Sequence, residues 1–237
     1  LIKPKVEIIN QEPGVEGLFK HMELCARTCY KSEDKITEDS ARKFIDNVIV
    51  ARGHTAMLEH GTVYLIIDCS GRLLDVANKY VNNKYSEWTL HPDGVHYCIT
   101  TNYRVLLQNG WLDDLQYLCE PTEYHVRRIT VRFICDMGVA REFCRHRVFS
   151  FAQESTRYCN YSKAKFGKEL NCIIPCWYKN MFEGNSYNIE LCHTYDLTIS
   201  EGLSRTEAAW IQAMCEAEST YFGLLTEGEP AQQARNV

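Results

Sequence analysis

Apolar and polar residues alternate along this chain with periods that separate strands from helices. Residues 6–10 are rich in β-branched side chains and are followed by Pro13-Gly14, which predicts a strand closed by a turn. From 17 to 30, Leu18, Met22, Cys25, Ala26 and Cys29 recur at three- and four-residue steps, so a helix with one buried face is predicted. A second helix is predicted from near Thr37 to Gly53. Thr37 or Asp39 would cap it, and Ala41, Phe44, Ile45, Val48 and Ile49 would form its apolar stripe. Residues 63–68 read as a buried strand, 71–80 as a helix and 97–101 as a short strand. A helix over 104–119 ends before Pro121, a strand is predicted over 129–135, and a helix over 138–149. Residues 171–175 suit a strand. A long helix over 205–227 places Ala209, Met214, Ala217, Tyr221 and Leu225 on its inner face before Gly228-Glu229-Pro230 breaks it, and a further helix starts near residue 231.

Composition narrows the class. The 237 residues are 45% hydrophobic and 24% charged with a net charge of −5, which excludes a disordered chain and suits one large domain over 1–237. The longest uninterrupted apolar run, 63–67, is far below the about 18–20 residues of a bilayer span, so no membrane helix is expected. The start, Leu1-Ile2-Lys3-Pro4, carries no apolar signal core. Twelve scattered cysteines with no CxxC spacing suit reduced thiols, so a cytoplasmic location is predicted.

Charge is uneven along the chain. Seven of the fourteen arginines fall between 127 and 157: Arg127, Arg128, Arg132, Arg141, Arg145, Arg147 and Arg157. Only Asp136, Glu142 and Glu154 oppose them, leaving a local net charge of +4 with no lysine in the stretch. Guanidinium groups grip phosphate oxygens in bidentate fashion and stay charged at any working pH, so the stretch reads as an anion trap. On the predicted helix Arg141 and Arg145 are one turn apart and can reach one anion together. Surface pairing with carboxylates is the bland alternative. Phe143, Phe149, Phe151 and Tyr158 interleave with the arginines and could stack RNA bases, but the acidic remainder of the chain argues against nucleic acid.

The segment from Arg141 to Tyr158 carries a resemblance. Arg145-His146-Arg147, then Ser150, Ser155 and Arg157-Tyr158, resemble the signature of flavin-dependent thymidylate synthases. Further matches follow in the family's order: Arg27-Thr28-Cys29-Tyr30 at a helix end, Gly53-His54 with Leu58-Glu59-His60 in a histidine loop, and an Ala-Arg motif at Ala234-Arg235.

The resemblance implies an α+β fold, a twisted, mainly antiparallel sheet flanked by helices, in a homotetramer whose active sites are shared between subunits. It implies conversion of dUMP to dTMP, with methylenetetrahydrofolate as carbon donor and NADPH reducing a bound FAD that delivers hydride. FAD would meet His54, Ala56, Arg145, His146, Arg147 and Gln153. The nucleotide dUMP would meet Glu142, Phe143, Cys144, Arg145, Gln153, Glu154, Ser155, Thr156, Arg157 and Arg235. The family's uracil-polarising arginine lies further C-terminal than its Ala-Arg motif, so the resemblance implies a segment beyond Val237 that carries it together with more FAD contacts. Without that segment, weak flavin binding and little turnover are expected.

The chain also departs from the family pattern. Ala152 and Gln153 stand where the family has Asn and Glu, so a carboxylate is replaced by an uncharged amide. Ala56 stands where a hydroxyl residue is usual, which confines that contact to the backbone. Residues 68–126 read as an insertion. These departures keep a non-catalytic nucleotide-binding relative in view. Ser155 has no general base at fixed spacing and reads as a nucleotide ligand, while Cys144 and Cys159 read as inert thiols. Cys172, Cys176, Cys192 and His193 could be imagined as a zinc set, but they lack a CxxC knuckle, and no metal is expected.

Overall fold

The structure, a computed structural model, describes residues 1–68, 73–178, 181 and 203–237. Helices and antiparallel strands build an α+β fold. Strand β1 (Lys5–Ile9) pairs with β5 (Thr130–Ile134) in a two-stranded sheet. The chain divides into two compact units. One comprises Ile8–Val131 with Val148–Gln153, the other Leu1–Glu7, Arg132–Arg147 and Glu154–Val237.

In the first of these, α1 (Gly14–Tyr30) buries Leu18, Phe19, Met22 and Ala26 almost completely, as the three- and four-residue spacing predicts. α2 is shorter than expected. It spans Ser40–Phe44 and widens into a π-helix over Ile45–Val50, so that the Ala51 and His54 amides reach back five residues to Asp46 and Ile49. Neither Thr37 nor Asp39 caps it by a side chain; the Ser40 hydroxyl instead accepts from the Thr37 amide at 2.9 Å and donates to Glu23 at 2.8 Å. The apolar stripe is as predicted, with Ala41, Ile45 and Ile49 in the core and Phe44 and Val48 packed against it.

β2 (Thr62–Asp68), β3 (Glu87–Leu90) and β4 (His96–Asn102) form an antiparallel sheet ordered β2-β4-β3, with Leu65 opposite Ile99. The β3 strand is not predicted from the sequence because its polar–apolar alternation, Glu87-Trp88-Thr89-Leu90, runs for only four residues at a mostly exposed edge. α3 (Leu73–Val81) overlaps the predicted 71–80 and ends one residue later, while 71 and 72 lie outside the described residues. The predicted helix over 104–119 is two elements. α4 (Tyr103–Asn109) ends at Gly110, whose φ of 71° is left-handed, and a 3₁₀ turn follows over Leu112–Tyr117. The stretch read as an insertion supplies Tyr80, Ile99 and Leu106, all fully buried, to the core that also holds Leu58, Leu65 and Ile67. Burial demands a partner for the Tyr80 hydroxyl, and Asp114 accepts from it at 2.6 Å.

In the other unit, Asp136 caps α5 (Met137–Phe143) by accepting from the Val139 amide at 2.9 Å. This helix stops six residues short of the predicted end, because the Arg145 and His146 amides turn back to Glu142 and Phe143 in i−3 bonds. The predicted strand over 171–175 is a single parallel bridge, Ile2 with Ile173. The long helix Arg205–Thr226 starts with a capping box between Ser204 and Glu207, and Ala231–Ala234 follow as a short helix after Pro230. Ile174, Met181 and Ile211 form a small core there.

Candidate functional site

The π-helix delivers the chain to His54, which opens the 3₁₀ turn Thr55–His60. The Tyr30 hydroxyl from the end of α1 bonds His54 Nδ1, so any ligand contact of this ring passes through Nε2. Two family-like pieces, the helix end and the histidine loop, therefore meet in space. Ala56 is exposed two residues on.

Glu59 in the same turn joins three further segments. One carboxylate oxygen pairs with Arg104 Nη1 from the first turn of α4, and the other accepts from the Ser150 hydroxyl at 2.7 Å. Arg128 donates to the Glu59 carbonyl at 3.0 Å and, at 3.4 Å, to that of Thr101. His60 is drawn toward the neutral form mainly by burial, and its Nε2 has no partner among the described residues. His21, which bonds Thr130 Oγ1 at 2.8 Å, is pushed down to about 4 by burial first and by His60 and Arg128 next. Ser150 is brought to this cluster as a signature residue, whereas Gln153 of the same segment is exposed.

The remaining signature residues lie in the other unit. Arg145 falls past the end of α5, so Arg141 and Arg145 do not share a helix face; Arg145 instead bonds Glu142 at 2.8 Å in the open. Phe143 packs on Phe133 with centroids 4.5 Å apart, and Cys144 is the exposed C-terminal cap of α5. His146 and Arg147 are exposed. Glu154 accepts from the Tyr161 hydroxyl, and burial together with this bond pushes Tyr161 far above its usual range. Ser155 accepts the Cys159 amide at 2.9 Å through its carbonyl. Arg235 Nη1 donates to Thr156 Oγ1 at 2.9 Å, and the Arg157 guanidinium lies 5.8 Å from the centre of the Tyr158 ring.

The arginine-rich stretch thus divides by role. Arg128 is spent on backbone carbonyls, while Arg141, Arg145, Arg147 and Arg157 are exposed. Sequence reading missed Arg104 altogether. A signal existed: a cation in the first turn of a helix opposes the macrodipole and calls for a carboxylate partner. Cys192 and His193 of the imagined zinc set lie outside the described residues.

Exposed guanidinium groups beside hydroxyls are suited to holding small anions such as phosphate. The family model described as thymidylate synthase complementing protein matches residues 121–237, and over these residues the chain is similar to that family. That match supports a function of the thymidylate synthase type, in dTMP formation. Comparison with curated proteins and with solved structures found no match.

Proposed function

We propose that the protein methylates dUMP to dTMP, with methylenetetrahydrofolate as the carbon donor and NADPH as the reductant acting through FAD. The products are dTMP, tetrahydrofolate and NADP⁺, so the carbon arrives as a methylene and leaves as a methyl after gaining one hydride. The observation that carries this reading is the Arg235–Thr156 bond, which joins the Ala-Arg motif to the second half of the signature beside exposed Arg157.

The donor set suits both ligands. Arg157 and Arg235 offer paired guanidinium donors to the dUMP phosphate, with the Ser155 and Thr156 hydroxyls at hand. Arg145, His146 and Arg147, exposed past the end of α5, suit the pyrophosphate of FAD, and the family resemblance assigns His54 and Gln153 to the flavin as well. FAD, when bound, supplies the hydride. The protein's own part is to orient the nucleotide and to set positive charge where negative charge builds on the uracil ring. Phe143 and Cys144 would border the nucleotide, and Ala56 would meet the flavin through its backbone.

Assembly as a homotetramer with shared sites is part of the same reading. Val6 and Ile8 on β1 are 64% and 66% exposed, and Phe133 on β5 is 44% exposed, apolar side chains that self-association would cover. A soluble, cytoplasmic protein fits; no helix of the described residues is long and apolar enough to cross a membrane.

The test is the visible absorption of the purified protein with FAD added and dUMP titrated in, followed by turnover with methylenetetrahydrofolate and NADPH. A retained flavin band that shifts with dUMP, and dTMP formed only when NADPH is present, are expected. Binding of dUMP without flavin retention or turnover would replace this reading with the non-catalytic relative.

A further inference from the structure

We propose that Glu59 and Arg104 are positioning residues that anchor residues 148–153, the interior of the signature, through Ser150. The catalytic consequence rests on the function proposed above; the anchor itself does not.

Burial does not hold the start of this segment. Val148 is 91% exposed and Phe149 59%, and 148–153 form neither helix nor strand. A polar link does hold it: the Ser150 hydroxyl donates to one Glu59 oxygen at 2.7 Å while Arg104 engages the other. Both carboxylate oxygens are thus used, and the charge-assisted bonds hold the acid in one orientation. The backbone of Glu59 is tied separately, because Arg128 donates to its carbonyl at 3.0 Å and to the Thr101 carbonyl at 3.4 Å. Four stretches of chain, the histidine loop, the β4–α4 corner, the start of β5 and the signature, converge on one residue.

Arg104 is placed where a helix disfavours a cation, and its Nε is buried without a partner among the described residues. Those costs are tolerable because the guanidinium fixes the Glu59 carboxylate. Ser150 lies three residues from Arg147 on one side and three from Gln153 on the other. Releasing it frees the stretch between two residues assigned to flavin.

The experiment uses the full chain with Glu59→Gln, Arg104→Lys, Arg104→Met, Ser150→Ala and the Glu59→Gln/Ser150→Ala double variant. Hydrogen exchange of the 149–153 amides is followed without ligand, and FAD and dUMP are then titrated by flavin absorbance. Glu59→Gln and Ser150→Ala should each speed exchange of these amides about tenfold or more, with the double variant no faster than Glu59→Gln alone. FAD affinity should fall about tenfold in Glu59→Gln and Arg104→Met, with the dUMP-induced band shift diminished, while Arg104→Lys restores part of both. Should Glu59→Gln fail to fold, Ser150→Ala and Arg104→Lys carry the same readouts. Unchanged exchange in these variants, or additive effects in the double variant, would overturn the anchor. If the wild type binds no flavin yet Ser150→Ala and Glu59→Gln selectively release 149–153, the anchor stands and the flavin reading falls.

Discussion

Arg235 donates through Nη1 to the hydroxyl of Thr156 at 2.9 Å, joining positions 79 residues apart in sequence. Both belong to the set assigned to dUMP, and the contact ties Arg235 to the residue that precedes Arg157 in the signature. Arg235→Ala should therefore weaken dUMP binding about tenfold to a hundredfold, the loss of about 1.5–3 kcal/mol expected of a hydrogen bond to a charged group. Arg235→Lys should recover part of the loss, because the charge returns without the planar fork. Calorimetric titration of dUMP checks this. Unchanged affinity in Arg235→Ala would remove Arg235 from the nucleotide site.

Buried His21 makes stability depend on pH. Its folded pKa of about 4 lies below the ordinary 6.5, so between these values the unfolded chain binds the proton that the folded one refuses. Stability is present above pH 6.5 and is lost as pH falls toward 4, by up to about 3 kcal/mol for this group. Urea unfolding at pH 7 and pH 4.5 should show a smaller difference in His21→Gln than in wild type; an identical difference would assign the acid sensitivity elsewhere.

Two glycines should respond in opposite directions to alanine. A Cβ on Gly17 would lie 2.0 Å from the Glu12 carbonyl oxygen, a backbone atom that cannot move without shifting the start of α1. Gly17→Ala should lower the thermal midpoint. Gly223 lies inside the long helix with nothing within 4 Å of its added Cβ, so Gly223→Ala should stabilise by about 0.5–1 kcal/mol. Thermal melts of the two variants decide both points.

Leu58 is fully buried between His54 and Glu59 in the histidine loop. Leu58→Ala should cost about 2–5 kcal/mol of stability through lost burial and the cavity it leaves. The urea midpoint measures it, and a cost below 1 kcal/mol would show that the loop repacks around the gap.

Periodicity alone located α1, the apolar stripe of the second helix, β2, β5 and the long C-terminal helix, because each carries its own signal of three- to four-residue spacing or strand composition. The residues proposed to bear the chemistry are legible for the same local reason: Arg145-His146-Arg147 and Ser155 to Tyr158 are consecutive in the chain, and a short motif needs no fold to be seen. Element ends were less legible. Gly110 in a left-handed turn splits α4 from the 3₁₀ turn, and i−3 bonds end α5 before Arg145, choices made by backbone bonding and packing that side-chain spacing does not encode. Only the tertiary structure decided that Arg104 serves Glu59, that Glu59 holds Ser150, and that Tyr30 sets the ring of His54. These pairs span from 24 to 91 residues of chain, and a side chain of either member carries no local mark of its partner. Sequence determined which groups the protein owns; the fold decided which of them touch, because hydrogen bonds act over about 3 Å and only chain folding brings such distant positions that close.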